Sequence, residues 1–159
     1  MSLQFGNGEP FATGVTPYAY QPASEQETTP RIIISVNIQG IQTSAFVDTG
    51  GVYAIFSPEI AAQLHLDPNH GAQADPIRWR GGGEKLQGVL HRIPITLLAE
   101  EGTSLTIEAT CFVPKLTHWQ QWQPDFPCIL GMYLCFDRLR FAVDPDPDNE
   151  MFYFGTLNP

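Results

Sequence analysis

Ile41-Gln42-Thr43-Ser44-Ala45-Phe46-Val47-Asp48-Thr49-Gly50-Gly51 reads as a strand that delivers a single carboxylate onto a tight glycine turn. Thr43, Ala45 and Val47 share one face and Ser44, Phe46 and Asp48 the other, the two-residue period of β structure. A lone ionised aspartate is costly to bury without partners. The N–H groups of the turn and the Thr49 hydroxyl are the partners at hand. Upstream, Ile32, Ile34, Val36 and Ile38 alternate with Ile33, Ser35 and Asn37, and Gln39-Gly40 is a turn. Residues 31–48 are therefore expected to form a hairpin with Asp48 at its exit.

Working outward, Ser57-Pro58-Glu59-Ile60-Ala61-Ala62-Gln63-Leu64 is the clearest helix. Ser57 suits the N-cap, Pro58 the first helical position, and Glu59 the positive end of the helix dipole. Arg80-Gly81-Gly82-Gly83-Glu84 is a flexible turn between strand-like runs. Residues 88–98 and 105–113 read as two strands joined by the turn Glu100-Glu101-Gly102, and 127–131 as a short buried strand. A helical turn is expected within 134–140. The last strands, 141–143 and 151–154, flank an Asp/Pro turn at 144–149. Residues 1–30 show no period and read as an arm, mobile or lying along an edge, which Phe11, Tyr18 and Tyr20 can dock. Regular structure is expected to begin at Arg31. Many short strands and one short helix imply an all-β protein.

A chain of 159 residues fits one domain, here 31–159 behind the arm, and 43% hydrophobic content is ample for its core. A net charge of −9 argues against nucleic acid and anionic membrane surfaces as partners, since both call for basic patches. No apolar run is long enough to cross a membrane as a helix, and no basic-then-apolar leader is visible. Three widely spaced cysteines, Cys111, Cys128 and Cys135, form no disulfide framework and point to a reducing compartment such as the cytoplasm. Cys128 and Cys135, on either side of Gly131, read as small buried hydrophobes. His65, His70, His91 and His118 lack ligand spacing, so no metal or other cofactor is expected. Trp119, Trp122, Pro124 and Phe126 form an aromatic segment suited to the core or to a dimer contact. The acidic stretch 144–150 lacks the spacing and glycine of a calcium loop and reads as a solvated turn.

Three elements, in order, carry a resemblance to the retropepsin-like aspartic proteases, the single-lobe, dimer-forming relatives of pepsin. They are Phe46-Val47-Asp48-Thr49-Gly50, the capped segment 57–64, and Ile129-Leu130-Gly131 followed by the apolar strand 141–143 ending in Asp144. The resemblance covers roughly residues 31–154, the usual size of one domain. It implies an all-β, acid-protease-like lobe, a closed barrel or β-sandwich with one short helix. One position departs from the family pattern: Gly51 stands where Ala or Ser is usual. The backbone N–H survives that change, and glycine loosens the turn by roughly 0.5–1 kcal/mol.

The resemblance also implies an activity, aspartic-type endopeptidase. Two carboxylates share one proton; one takes a proton from water while the other donates to the peptide carbonyl oxygen. Like charges about 3 Å apart cannot both ionise, which poises the pair as base and acid. This chain holds one Asp-Thr-Gly, and Asp75, Asp125, Asp137 and Asp144 lack its strand-and-glycine setting. The second Asp48 must come from another copy, in a two-fold homodimer. The catalytic set is then Asp48, Thr49 and Gly50, with Gly51, Ile129, Leu130 and Gly131 as support. Gly81, Gly82 and Gly83 are candidates for a flap over the cleft and Trp79 for its lining. The substrate is an extended peptide or protein segment.

Two other readings fit the same residues. One is a non-catalytic peptide-binding or dimerisation module on this fold, which would survive Asp48→Asn. The other is a monomeric small-molecule-binding barrel in which Asp48 is only a turn residue.

Overall fold

The computed structural model describes residues 3–25, 27–78, 85–116, 122 and 126–157. Among the described residues, thirteen strands run in chain order as β1 (Gly14–Pro17), β2 (Ala19–Gln21), β3 (Arg31–Ile38), β4 (Ile41–Val47), β5 (Ala54–Phe56), β6 (Ala72–Gln73), β7 (Ile77–Arg78), β8 (Lys85–Leu97), β9 (Glu101–Gly102), β10 (Leu105–Lys115), β11 (Cys128–Leu130), β12 (Leu139–Asp144) and β13 (Met151–Thr156). The helix α1 spans Pro58–Gln63, and Phe136–Arg138 makes one 3-10 turn. The protein is all-β with one short helix, as the sequence pattern implies.

The β3–β4 hairpin forms as the alternation dictates. Ile38 pairs with Ile41 across the turn. Gln39 and Gly40 both take positive φ, at 49° and 93°, the backbone of a two-residue turn that follows the strand twist. The Asn37 side chain accepts from the Gly40 N–H at 2.9 Å and closes it. Ile34, Val36 and Ile38 are all buried on one face.

β4 continues sideways into β11, which runs parallel to it and antiparallel to β5. β5 pairs with β10, and β10 with β8 over eleven residues, from Leu105↔Leu97 to Lys115↔Gln87. β8 returns to β3 through Val36↔Leu97 and Asn37↔Thr96. The six strands β3, β4, β11, β5, β10 and β8 therefore form a ring, with β2, β6 and β7 attached at its margins. The core fills it with Val36, Phe56, Ile95, Leu97, Cys111 and Leu130. Each such side chain fully withdrawn from water contributes about 1.5–3 kcal/mol.

Differences from the sequence expectations have local causes. β5, β6 and β7 are two or three residues long, too short to show a period. Order begins before Arg31: β1 lies between β13 and β9 in a second, four-stranded sheet, order β12-β13-β1-β9. That placement is long-range pairing, Gly14↔Phe154 and Gly14↔Gly102, which no local pattern encodes. Tyr18 is buried and its hydroxyl donates to the Asp144 carbonyl at 2.8 Å, whereas Tyr20 stays exposed. Residues 101 and 102, expected as hairpin turn, pair as β9. Phe152 and Phe154 on β13 reach the ring's core and join the two sheets.

Candidate active site

Asp48 is the first residue beyond β4, and backbone rather than side chains holds it there. Its N–H donates to the Leu130 carbonyl at 2.9 Å, extending the β4–β11 pairing by one bond. Its own carbonyl accepts from the Gly51 N–H at 2.9 Å, which closes the turn. The carboxylate Oδ1 accepts from the Gly50 N–H at 3.2 Å. Thr49 and Gly50 form the exposed tip, and Asp48 itself is half-buried. A carboxylate is thus fixed at its root and open at its oxygens.

Gly51 faces that carboxylate. A Cβ there would lie 3.3 Å from Asp48 Cγ and Oδ2, so the glycine leaves the acid room. The chain then runs through Val52 and Tyr53 into β5. Opposite, β11 ends at Leu130, and a Cβ on Gly131, the next residue, would lie 2.3 Å from the Tyr53 carbonyl oxygen. No side chain fits there. The close approach allows the Met132 N–H to reach the Gly51 carbonyl at 2.8 Å and the Tyr133 N–H the Val52 carbonyl at 2.7 Å. Asp48, Gly51, Ile129, Leu130 and Gly131, far apart in sequence, are therefore one bonded unit. Ile129 packs with Phe46 and Phe126 in a small cluster behind it, and Leu130 in the main core.

Four residues attached to this unit, Val52, Tyr53, Met132 and Tyr133, went unread in the sequence. Val52, Met132 and Tyr133 are exposed, and the Tyr53 and Tyr133 rings lie 5.8 Å apart. Leu134 takes φ of 55°, a left-handed conformation that costs a non-glycine residue about 1–2 kcal/mol. It turns Met132 and Tyr133 outward while Cys135 and Phe136 enter the core. The Thr110 N–H holds the Leu134 carbonyl at 2.9 Å and helps fix that bend.

The flap candidates Trp79, Gly81, Gly82 and Gly83 lie outside the described residues, as do His118, Trp119, Pro124 and Asp125. The strands on either side of 79–84 do pair: Ile77↔Leu86 and Arg78↔Lys85 join β7 to β8. His70 contacts Asp67 at 2.6 Å, and His91 meets the Asp67 carbonyl at 3.1 Å. Among the described residues, no group of three or more His, Cys, Asp or Glu is placed to hold a metal. Cys111, Cys128 and Cys135 are buried as free thiols. Burial pushes all three up, Cys135 to about 12, so they are poor nucleophiles. No helix of the described residues is long and apolar enough to cross a membrane.

No protein-family model matches the sequence, and no curated protein matches it. Among solved structures, the crystal structure of a retropepsin-like aspartic protease from Rickettsia conorii aligns over 90% of this chain and 95% of that chain, with 16% identity and a TM-score of 0.52. The retroviral protease-like domain of Ddi1 from Leishmania major aligns over 80% of this chain and 96% of that one, with 19% identity and a TM-score of 0.43. The assignment rests on the rickettsial structure, and at such identity a likeness speaks for architecture alone. This chain has the retropepsin-like fold.

Proposed function

We propose that the protein is an aspartic-type endopeptidase that works as a homodimer, with one Asp48 from each subunit. The observation that carries this reading is the setting of Asp48. A carboxylate is held by its backbone at the solvent side of a glycine turn, with oxygens that accept one N–H among the described residues. A single carboxylate can act as base or as acid, not as both in one step. A second copy across a two-fold axis supplies the missing role. With one proton between the two, the ionised carboxylate takes a proton from water and the protonated one donates to the peptide carbonyl oxygen. The water oxygen bonds to the carbonyl carbon; the tetrahedral intermediate then collapses, the C–N bond breaks, the leaving amine takes the proton that the first carboxylate drew from water, and the other carboxylate recovers its proton from the intermediate's hydroxyl.

Substrate binds as an extended strand, since main-chain hydrogen bonding leaves the scissile carbonyl in reach of the pair. Trp79, Gly81, Gly82 and Gly83 serve as a flap, a role supported by the β7–β8 pairing on either side of them. Buried free thiols fit a reducing compartment such as the cytoplasm.

The test is cleavage of a diverse peptide library from about pH 3 to about pH 7, which brackets the upper titration of such carboxylate pairs. Wild type and Asp48→Asn are compared at concentrations where the wild type is dimeric. Cleavage that the substitution abolishes supports the proposal. An intact wild-type dimer that cleaves nothing over that range would replace it with a peptide-binding module.

A further inference from the structure

Three of the six large apolar side chains that stand exposed among the described residues are gathered at the Asp48 turn. Val52 is 57% exposed, Tyr133 52% and Met132 37%. They are not loose. The hydrogen bonds from Met132 to Gly51 and from Tyr133 to Val52 fix them to the strand that carries the turn, and left-handed Leu134 keeps them facing outward. Neither 49–56 nor 129–136 contains a charged side chain, in a chain of net charge −9. Two bonded turns, one of them strained at Leu134, that present apolar groups to water are built for a contact rather than for solvent.

We infer that Val52, Met132 and Tyr133 form an apolar collar that buries against the same collar of a second copy, and that this contact sets the affinity of the dimer. The inference rests on the reading of Asp48 as half of a shared pair. If two carboxylates approach to about 3 Å, the residues bonded to their turns are brought close to the partner copy. Gly51 is hydrogen-bonded to the Asp48 carbonyl, and the collar is bonded to Gly51 and Val52. A second copy is therefore the occupant that also completes the site. Association of two chains of charge −9 is opposed by Coulomb repulsion, which an uncharged apolar contact surface does not add to. Raising salt from about 50 mM to about 500 mM then leaves dimer affinity unchanged or improves it, by screening that repulsion.

The experiment is sedimentation velocity over a concentration series, in low and high salt, on wild type, Tyr133→Ala, Val52→Asp and Asp48→Asn. Circular dichroism checks that each is folded, which the exposure of both collar side chains in the single chain favours. The expected result is dimer affinity weakened roughly tenfold by Tyr133→Ala and roughly 30-fold or more by Val52→Asp, with Asp48→Asn still dimeric. A wild-type dimer whose affinity neither collar substitution moves overturns the inference and leaves the peptidase reading standing. The same holds if the substitutions change KM or cleavage preference at unchanged affinity, because the collar would then line the substrate cleft. A dimer that the collar substitutions dissociate but that cleaves no peptide upholds the collar and removes the peptidase. A wild type that is monomeric throughout removes both.

Discussion

The position a Gly131 side chain would occupy lies 2.3 Å from the carbonyl oxygen of Tyr53. This contact lets β11 slot between the Asp48 turn and the start of β5. It explains why the apolar-apolar-Gly element recognisable at 129–131 must end in glycine. The restriction is one of space, since the obstructing atoms are backbone and cannot swing away.

Gly131→Ala should therefore act on the turn that holds Asp48 and on the fold together. The added methyl has to push the Tyr53 or Gly51 carbonyl aside, which strains the 2.8 Å Met132–Gly51 bond. Overpacking of this kind costs typically about 1–3 kcal/mol. Urea denaturation should show a midpoint lowered to match, with an unchanged slope. Peptide cleavage measured without denaturant should fall further than the folded fraction. A wild-type melt and wild-type activity would mean that the loop relaxes freely and that the bracing described above is unimportant.

Asp48→Asn keeps the backbone bonds that fix the residue, because neither the N–H to Leu130 nor the carbonyl to Gly51 involves the side chain. Stability should change little. Cleavage should drop by roughly 10²–10⁴-fold or more, the usual contribution of a positioned acid–base group. Comparing the thermal melts of the two proteins beside their rates separates chemistry from folding. A large loss of stability would indicate that the carboxylate is mainly a turn cap.

Asp144 closes the β12–β13 turn by accepting from the Asp146 N–H at 3.0 Å and from the Asn149 side chain at 2.8 Å. These two bonds, the backbone one foremost, hold its carboxyl below the ordinary carboxylate range. The folded pKa is depressed relative to the unfolded one. In that window the unfolded chain binds more protons, so stability rises with pH. The contribution is fully present above about pH 4 and is lost as pH falls through the lower, folded value. Asp144→Asn should accordingly melt below wild type at neutral pH, with the gap narrowing as the solution is acidified below about pH 4. A gap independent of pH would show that the turn does not depend on the carboxylate charge.

The parts of this fold legible in the sequence are those whose signals are local. The alternation of Ile34, Val36 and Ile38 marks β3, and Ser57-Pro58 marks α1, whose N-cap hydroxyl accepts from the Ile60 N–H at 3.2 Å. Asp48-Thr49-Gly50 stood out because a charge after a strand needs a reason. What remained hidden depends on distant chain. β5 is defined by β11 and β10 rather than by its own three residues, and β1 by β13. The collar was unreadable for a related reason: Val52 and Tyr133 look like core residues in sequence, and only the bend at Leu134 turns the latter outward.

The placement of β1 makes a prediction about the N-terminal segment. β1 is an interior strand of its sheet, with β13 on one side and β9 on the other. Removing residues 1–21 would leave β9 without its strand partner, open one edge of β13, which keeps β12 on its other side, and uncover Tyr153, which packs with Ala12 and Val15. Unpaired apolar edges of that kind recruit other chains. Such a truncation should lower the melting temperature and promote aggregation, read by light scattering during thermal ramping. Removing only residues 1–8 spares β1 and leaves Ala12 and Val15 in place, so it should cost far less. If the 1–21 truncation instead stayed monodisperse and gained peptide cleavage, the segment would be a removable covering and not an integral strand.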